Sequence, residues 1–161
     1  MGWIKAIGII VVFLTTISAG FLLADSYRRE SLRLRELLRL VGYIRVQIDG
    51  FHTPLGEIYE RFDDGAEIAP FLTGVREVGF EAAAKDILPK LDLSERTRSI
   101  LTEFAAWLGK SDASDQVKRC LVCEEGLSDE LKRCETALPG KLRVCRTLAL
   151  SFAIMTVILL I

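Results

Sequence analysis

Four cysteines carry the most obvious chemistry in this chain: Cys120, Cys123, Cys134 and Cys145. A C-x-x-C pair followed by two further thiols could hold zinc if four thiolates converged on one point. It could also sense oxidants if the thiols were acidic and accessible. The spacing argues against convergence. Cys123, Cys134 and Cys145 recur every eleven residues, close to three helical turns, which strings them along a helix stripe. Cys120 and Cys134 share a face with Leu127, Leu131 and Leu138. The expected role is that of buried, small apolar residues, kept reduced in a cytoplasmic setting. A metal- or thiol-responsive membrane regulator using these four cysteines is the alternative.

The second chemical candidate is Leu108 to Gln116, "LGKSDASDQ". Its Gly109-Lys110-Ser111 resembles the end of a phosphate-binding loop. That loop needs a glycine five residues earlier, where this chain has Phe104, and a preceding strand, where this chain has a helical pattern. Asp112 and Asp115 could pair as general acid and base, but helix capping by Asp112 and a first-turn charge at Asp115 account for both. His52 is the single histidine, and spacing places no nucleophile beside it. Glu57, Glu60, Asp63 and Asp64 read as a solvated face. No catalytic, cofactor or metal residues are expected. The stretch reads as a corner: Gly109 ends one helix, Lys110 sits near its negative end, and Asp112 or Ser114 opens the next.

The elements that hold these residues follow from hydropathy and charge. The formal net charge of −1 gives no field that favours nucleic acid. The apolar excess sits at the two ends of the 161 residues. Residues 6–24, "AIGIIVVFLTTISAGFLLA", carry no charge and would span roughly 28 Å as a helix, near the thickness of a bilayer core. No convincing cleavage site follows, so the stretch reads as a retained span. Residues 147–161, "TLALSFAIMTVILLI", would span about 22 Å, with Arg146 snorkelling and the bilayer thinning to accommodate them. Six arginines lie between Arg28 and Arg45, and Lys132, Arg133, Lys141, Arg143 and Arg146 approach the second stretch. The positive-inside rule then places the region between the spans in the cytoplasm. The expected organisation is a transmembrane helix at 1–24, a cytoplasmic helical-bundle domain at 25–146 and a short transmembrane helix at 147–161.

The central region shows helical periods and no useful strand alternation. Leu34, Leu37, Leu38, Val41, Ile44 and Ile48 make the apolar stripe of a first helix that Asp49-Gly50 should stop. Thr53 with Pro54 should cap a short helix whose inner face is Leu55, Ile58, Tyr59 and Phe62. Two shorter helices are expected at about 67–78 and 81–89. Asp92 and Glu95 form a plausible capping box for a helix to about Leu108, buried through Ile100, Leu101, Phe104, Ala105 and Leu108. A long helix should then run to about Leu138, broken or kinked at Pro139-Gly140. The fold class is all-α: an antiparallel helical bundle between two membrane helices.

The order of "LRELLRLVGYIRVQI", "HTPLGEIYERF", "LTEFAAWLGKSDASDQVKR", a basic stretch and a terminal "VILLI" resembles the stage III sporulation protein AB family of endospore-forming bacteria. The most specific pieces are Thr53-Pro54-Leu55 and Leu108-Gly109-Lys110-Ser111-Asp112 with Asp115-Gln116. That family's cytoplasmic domain is similar to the helical domains of type II secretion F platform proteins. The resemblance implies a non-enzymatic platform in the mother-cell membrane around the forespore, within the channel joining the two cells. Its partners would be the companion secretion-type ATPase, other small membrane subunits, the lipid bilayer and, as a homo-oligomer, further copies of itself. The expected partner-binding residues are Thr53, Pro54, Leu55, Glu57, Lys110, Ser111, Asp112, Asp115 and Gln116.

Overall fold

The structure is a computed structural model that describes residues 25, 26, 28–62 and 65–160. The N-terminal stretch expected to span the membrane, and the pair Asp63-Asp64, lie outside the described residues. The described residues are helical, without strands: α1 (28–46), α2 (Leu55–Arg61), α3 (Ala69–Val78), α4 (Phe80–Asp86), α5 (Glu95–Trp107) and α6 (Ala113–Leu160). Two compact units divide the chain. One is Arg29–Arg133, and the other combines Met1–Arg28 with Cys134–Ile161.

Within Arg29–Arg133, α1 buries Leu34, Leu37, Leu40, Val41 and Ile44. Leu40 replaces the expected Leu38, which is only half-buried. Asp49-Gly50 does not stop this helix. The chain widens into a π-turn over Gln47–Phe51 and ends on His52, whose φ of 52° lies in the left-handed region. Gln47 ties the end off: its carbonyl accepts from the backbone N–H of Thr53 at 3.3 Å, and its side-chain oxygen accepts from Thr53 Oγ1 at 3.1 Å. Thr53 is therefore occupied with α1 and does not cap α2. Pro54 takes the cap position, its carbonyl accepting from Ile58 N–H at 3.2 Å.

Helices α2 to α5 pack on one another in chain order. Gly79 turns the chain between α3 and α4 with a φ of 87°, where no side chain sits comfortably. Phe80 then stands at the centre of the core. Its ring meets Phe71 at 5.3 Å and Phe104 at 5.6 Å, both edge-on, and Tyr59 at 6.1 Å, so four helices share one aromatic cluster. Burial pushes the Tyr59 phenol well above its ordinary value. Arg76 closes the far end of α2, donating to the carbonyls of Tyr59 (3.0 Å) and Phe62 (3.3 Å), where a cation suits the helix dipole.

Helix α5 is opened by Ser94 and not by the expected Asp92. Ser94 Oγ accepts from Thr97 N–H at 3.1 Å, and Thr97 is itself fully buried. Ile100 and Leu108 flank the buried face of Leu101, Phe104 and Ala105 and are half-buried. Helices α5 and α6 run antiparallel. Arg96 pairs with Glu130 at 3.0 Å, Ile100 abuts Gly126, and Trp107 stacks under the Arg119 guanidinium at 4.4 Å. Arg45 of α1 reaches α6 at Glu124, 2.7 Å away.

Pro139 does not break α6, which continues through it to Leu160. A proline there removes one backbone bond and crowds one carbonyl, at a cost of about 3 kcal/mol. In the Cys134–Ile161 part, Val144, Leu148, Leu150 and Met155 are exposed, and Thr147 Oγ1 donates back to the Arg143 carbonyl at 2.9 Å. Among the described residues no helix is long and apolar enough to cross a membrane.

Candidate functional site

The corner between α5 and α6 is built almost entirely by Gly109 and Gln116. Leu108 N–H still reaches the Phe104 carbonyl at 3.1 Å, and Lys110 N–H reaches Trp107 at 3.1 Å. Between them Gly109 takes a φ of 80°. That left-handed residue ends α5 as the sequence indicates. Gln116 then clamps the turn with both ends of its amide. Its oxygen accepts from Gly109 N–H at 3.3 Å, and its nitrogen donates to the Ser111 carbonyl at 2.6 Å. Asp112 opens α6 through its carbonyl, which accepts from Gln116 N–H at 3.0 Å; Ser114 lies inside the helix. With its amide hydrogen committed to Gln116, Gly109 is part of a turn and not of a phosphate cradle.

The second motif meets this corner. Thr53, Pro54 and Leu55 line a shallow depression of about 240 Å³ together with Ile48, His52, Ala113 and Gln116. Segments nearly sixty residues apart in sequence therefore form one surface. Leu55 also borders a larger groove of about 710 Å³, shared with Tyr59, Arg76, Phe80, Glu81 and Leu108. Glu57 is exposed one turn into α2 and pairs with Arg61. Pro54 and Asp112 are exposed as well.

The charges at the corner are organised. Lys110 Nζ lies 2.7 Å from Glu81 Oε2 of α4, and Lys85 lies 2.9 Å from the other oxygen of the same carboxylate. Hydrogen bonds from these two lysines hold the Glu81 carboxyl down at about 2. Asp115 receives Arg119 Nε at 2.8 Å, and that bond holds its carboxyl below the usual value. Arg119 in turn lies over Trp107, a cation–π contact that ties the start of α6 to the end of α5. Of the expected partner-binding residues, Gln116, Ser111 and Asp115 thus build the corner, while Pro54, Glu57, Lys110 and Asp112 present it. Glu81, Lys85, Arg119 and Trp107 belong to the site and were missed. The Glu81–Lys85 and Asp115–Arg119 spacings of four residues were legible as helix pairs. The Lys110–Glu81 contact, 29 residues apart, had no local signal.

The cysteines lie elsewhere. Cys120 and Cys123 are buried, and Cys134 is half-buried. Burial pushes both the Cys120 and Cys123 thiols up to about 12. Thiols held so far from ionisation are poor nucleophiles at neutral pH. Among the described residues, no group of three or more His, Cys, Asp or Glu side chains is placed to hold a metal ion.

The family model described as stage III sporulation protein AB matches residues 5–161. No curated protein and no solved structure matches the chain.

Proposed function

Because the chain belongs to the stage III sporulation protein AB family, and so takes part in stage III of sporulation, we propose that it is a membrane platform subunit. In this reading it couples a secretion-type ATPase of the mother-cell cytoplasm to the channel complex between mother cell and forespore. The uncharged run at 6–24 and the apolar end of α6 attach it to the mother-cell membrane. The region Arg29–Arg133 faces the cytoplasm, as its flanking arginines and lysines favour. Its work is binding, and its other partners are the remaining small membrane subunits of the channel.

The observation that supports this reading best is the meeting of the two most specific sequence motifs. Thr53-Pro54-Leu55 and the Gly109 corner form one surface, with Gln116 lining the depression between them. A structural turn needs the clamp alone. Pro54 lines the depression and is exposed, and Glu57 and Asp112, next to its motifs in the chain, are exposed as well, a composition that suits the rim of a docking site. The test is amide hydrogen exchange on the full chain in nanodiscs, with and without the ATPase. Added protection at residues 53–57 and 109–116 is expected. Protection confined to other segments would overturn the assignment of this face.

A further inference from the structure

Helices α1 and α6 lie side by side in opposite directions. Arg45 of α1 bonds to Glu124 of α6, and a Cβ at Gly42 would touch the same carboxylate. Further along α1, Ile48 and His52 border the same depression as Ala113 and Gln116. On that register Val46 lies level with Leu121, and Arg39 lies level with the turn between Glu125 and Asp129. All five are exposed, Val46 by 48 % and Leu121 by 47 %. Arg39 and Glu125 form no salt bridge or side-chain hydrogen bond among the described residues.

These side chains share one face of the helix pair. On α1, Arg39 and Val46 lie roughly a quarter turn from the edge marked by Gly42 and Arg45. On α6, Leu121 and Glu125 lie roughly a quarter turn from Glu124, in the same sense of rotation along the chain. Because the helices run in opposite directions, equal turns bring both sets to the same side. Buried Leu34, Leu37 and Ile44 of α1 and Cys123 and Leu127 of α6 point to the other side. At the same two levels, α1 therefore offers a cation and an apolar residue, and α6 offers anions and an apolar residue. An outward helix face is expected to be polar, and Val46 and Leu121 stand out on this one.

We propose that this face binds a second copy of the chain across a two-fold axis running along α1 and α6, so that α1 of each copy packs on α6 of the other. Val46 then meets Leu121 and Arg39 meets Glu125, each contact made twice, with Asp129 one turn beyond. Packing α1 on α1 and α6 on α6 would instead set Arg39 against Arg39 and Glu125 against Glu125. The interface is isologous, the commonest form of closed assembly, and neighbouring helices across it are antiparallel, as in a four-helix bundle. The start of α1 and the Arg133 end of α6 lie at one end of the helix pair. An axis along the helices keeps that end of both copies on the same side, as attachment to one bilayer requires. Attachment there concentrates the chains and favours a small interface. The pairing fits the membrane attachment proposed above and does not depend on the ATPase-coupling role.

The test is sedimentation equilibrium of the full chain in detergent micelles, with Arg39→Glu, Glu125→Arg and an equimolar mixture of the two variants. No ATPase is present, so the outcome is separate from the coupling role. Both substituted positions are exposed, and thermal melting of each variant serves as the folding control. The wild-type chain is expected to form a dimer. Each single reversal opposes like charges at both symmetry-related contacts and is expected to weaken association by at least about tenfold. The mixture restores opposite charges at both contacts and is expected to recover association as a heterodimer. A wild-type chain that stays monomeric at every concentration, or that assembles beyond a dimer, overturns the proposal. So do single reversals that associate like wild type, which would place self-association on another face, and a mixture that fails to recover.

Discussion

A methyl group at Gly109 would lie 3.0 Å from Leu55 Cδ1. The contact joins the two motifs, and it explains why the corner carries glycine for two reasons at once. Its φ of 80° is costly for any residue with a Cβ, and a Cβ would crowd the end of the Leu55 side chain, which would have to give way. Gly109→Ala is expected to destabilise the chain by about 1–2 kcal/mol from the backbone alone. Gly56, exposed on α2 with nothing within 4 Å of a built Cβ, gives the opposite sign. Gly56→Ala is expected to stabilise by about 0.5 kcal/mol. Urea denaturation of both variants checks the pair.

The Gln116 clamp is a second point of failure. Gln116→Leu keeps the size of the side chain but removes both bonds, leaving the exposed Gly109 N–H to water and the part-buried Ser111 carbonyl without its donor. The expected cost is about 1 kcal/mol. Gln116→Glu keeps the acceptor for Gly109 and loses the donor to Ser111, so it should fall between the two. Amide exchange at Gly109 should accelerate in the leucine variant and remain slow in the glutamate one.

Phe80 and Phe51 test the core assignment. Phe80→Ala removes the ring that joins α2, α3, α4 and α5 and is expected to cost about 3–5 kcal/mol. Phe51 is 70 % exposed, and Phe51→Ala should stay within about 0.5 kcal/mol of wild type. Equal effects in thermal unfolding would contradict the packing described.

The buried thiols predict how stability falls in alkali. Cys120 and Cys123 rise from an ordinary 9.0 to about 12 in the folded chain. Between those values the unfolded chain loses thiol protons that the folded chain retains. Stability from this source is therefore complete below pH 9 and is lost as pH rises towards 12. Cys120→Ala with Cys123→Ala should flatten that decline, leaving the weaker contribution of Tyr59. Alkylation by iodoacetamide at pH 8 should be slow at both thiols until the chain is unfolded.

Glu81 predicts the acid side. Lys110 and Lys85 hold its carboxyl at about 2, against an ordinary 4.5. Its contribution is present above pH 4.5 and fades as pH falls towards 2. In Lys110→Met the carboxyl should titrate closer to 4.5, which carbon-detected NMR of the side chain reads directly.

The helical class and most helix ends were legible in the sequence because period and breakers agree there. Pro70, Gly79 and Pro89 do bracket α3 and α4, and Leu101, Phe104 and Ala105 do face inward. The misses have physical reasons. Leu38 and Leu40 both border the stripe of α1, and only packing against other helices decides which is buried. Ser94 and Asp92 are both good caps, and the one three residues before Thr97 wins because its hydroxyl reaches that N–H. Asp49-Gly50 is overridden by Gln47, whose carbonyl and amide hold the wider turn. Pro139-Gly140 read as a break or a kink, and the helix of 48 residues continues through Pro139 without a break. At the candidate site, the residues of each motif were visible, but their meeting at Leu55, Gly109 and Gln116 was not. Contacts across more than fifty residues leave no trace in local spacing.

The most direct test of the coupling role is calorimetry of the full chain in nanodiscs against the companion ATPase, with and without nucleotide. The variant to compare carries Glu57→Lys and Asp112→Lys, which reverse two exposed charges at the corner without touching the Gln116 clamp. The account predicts saturable binding to the wild-type chain, micromolar or tighter, and about tenfold weaker binding to the variant. Absence of binding, or equal binding by the two chains, would contradict it.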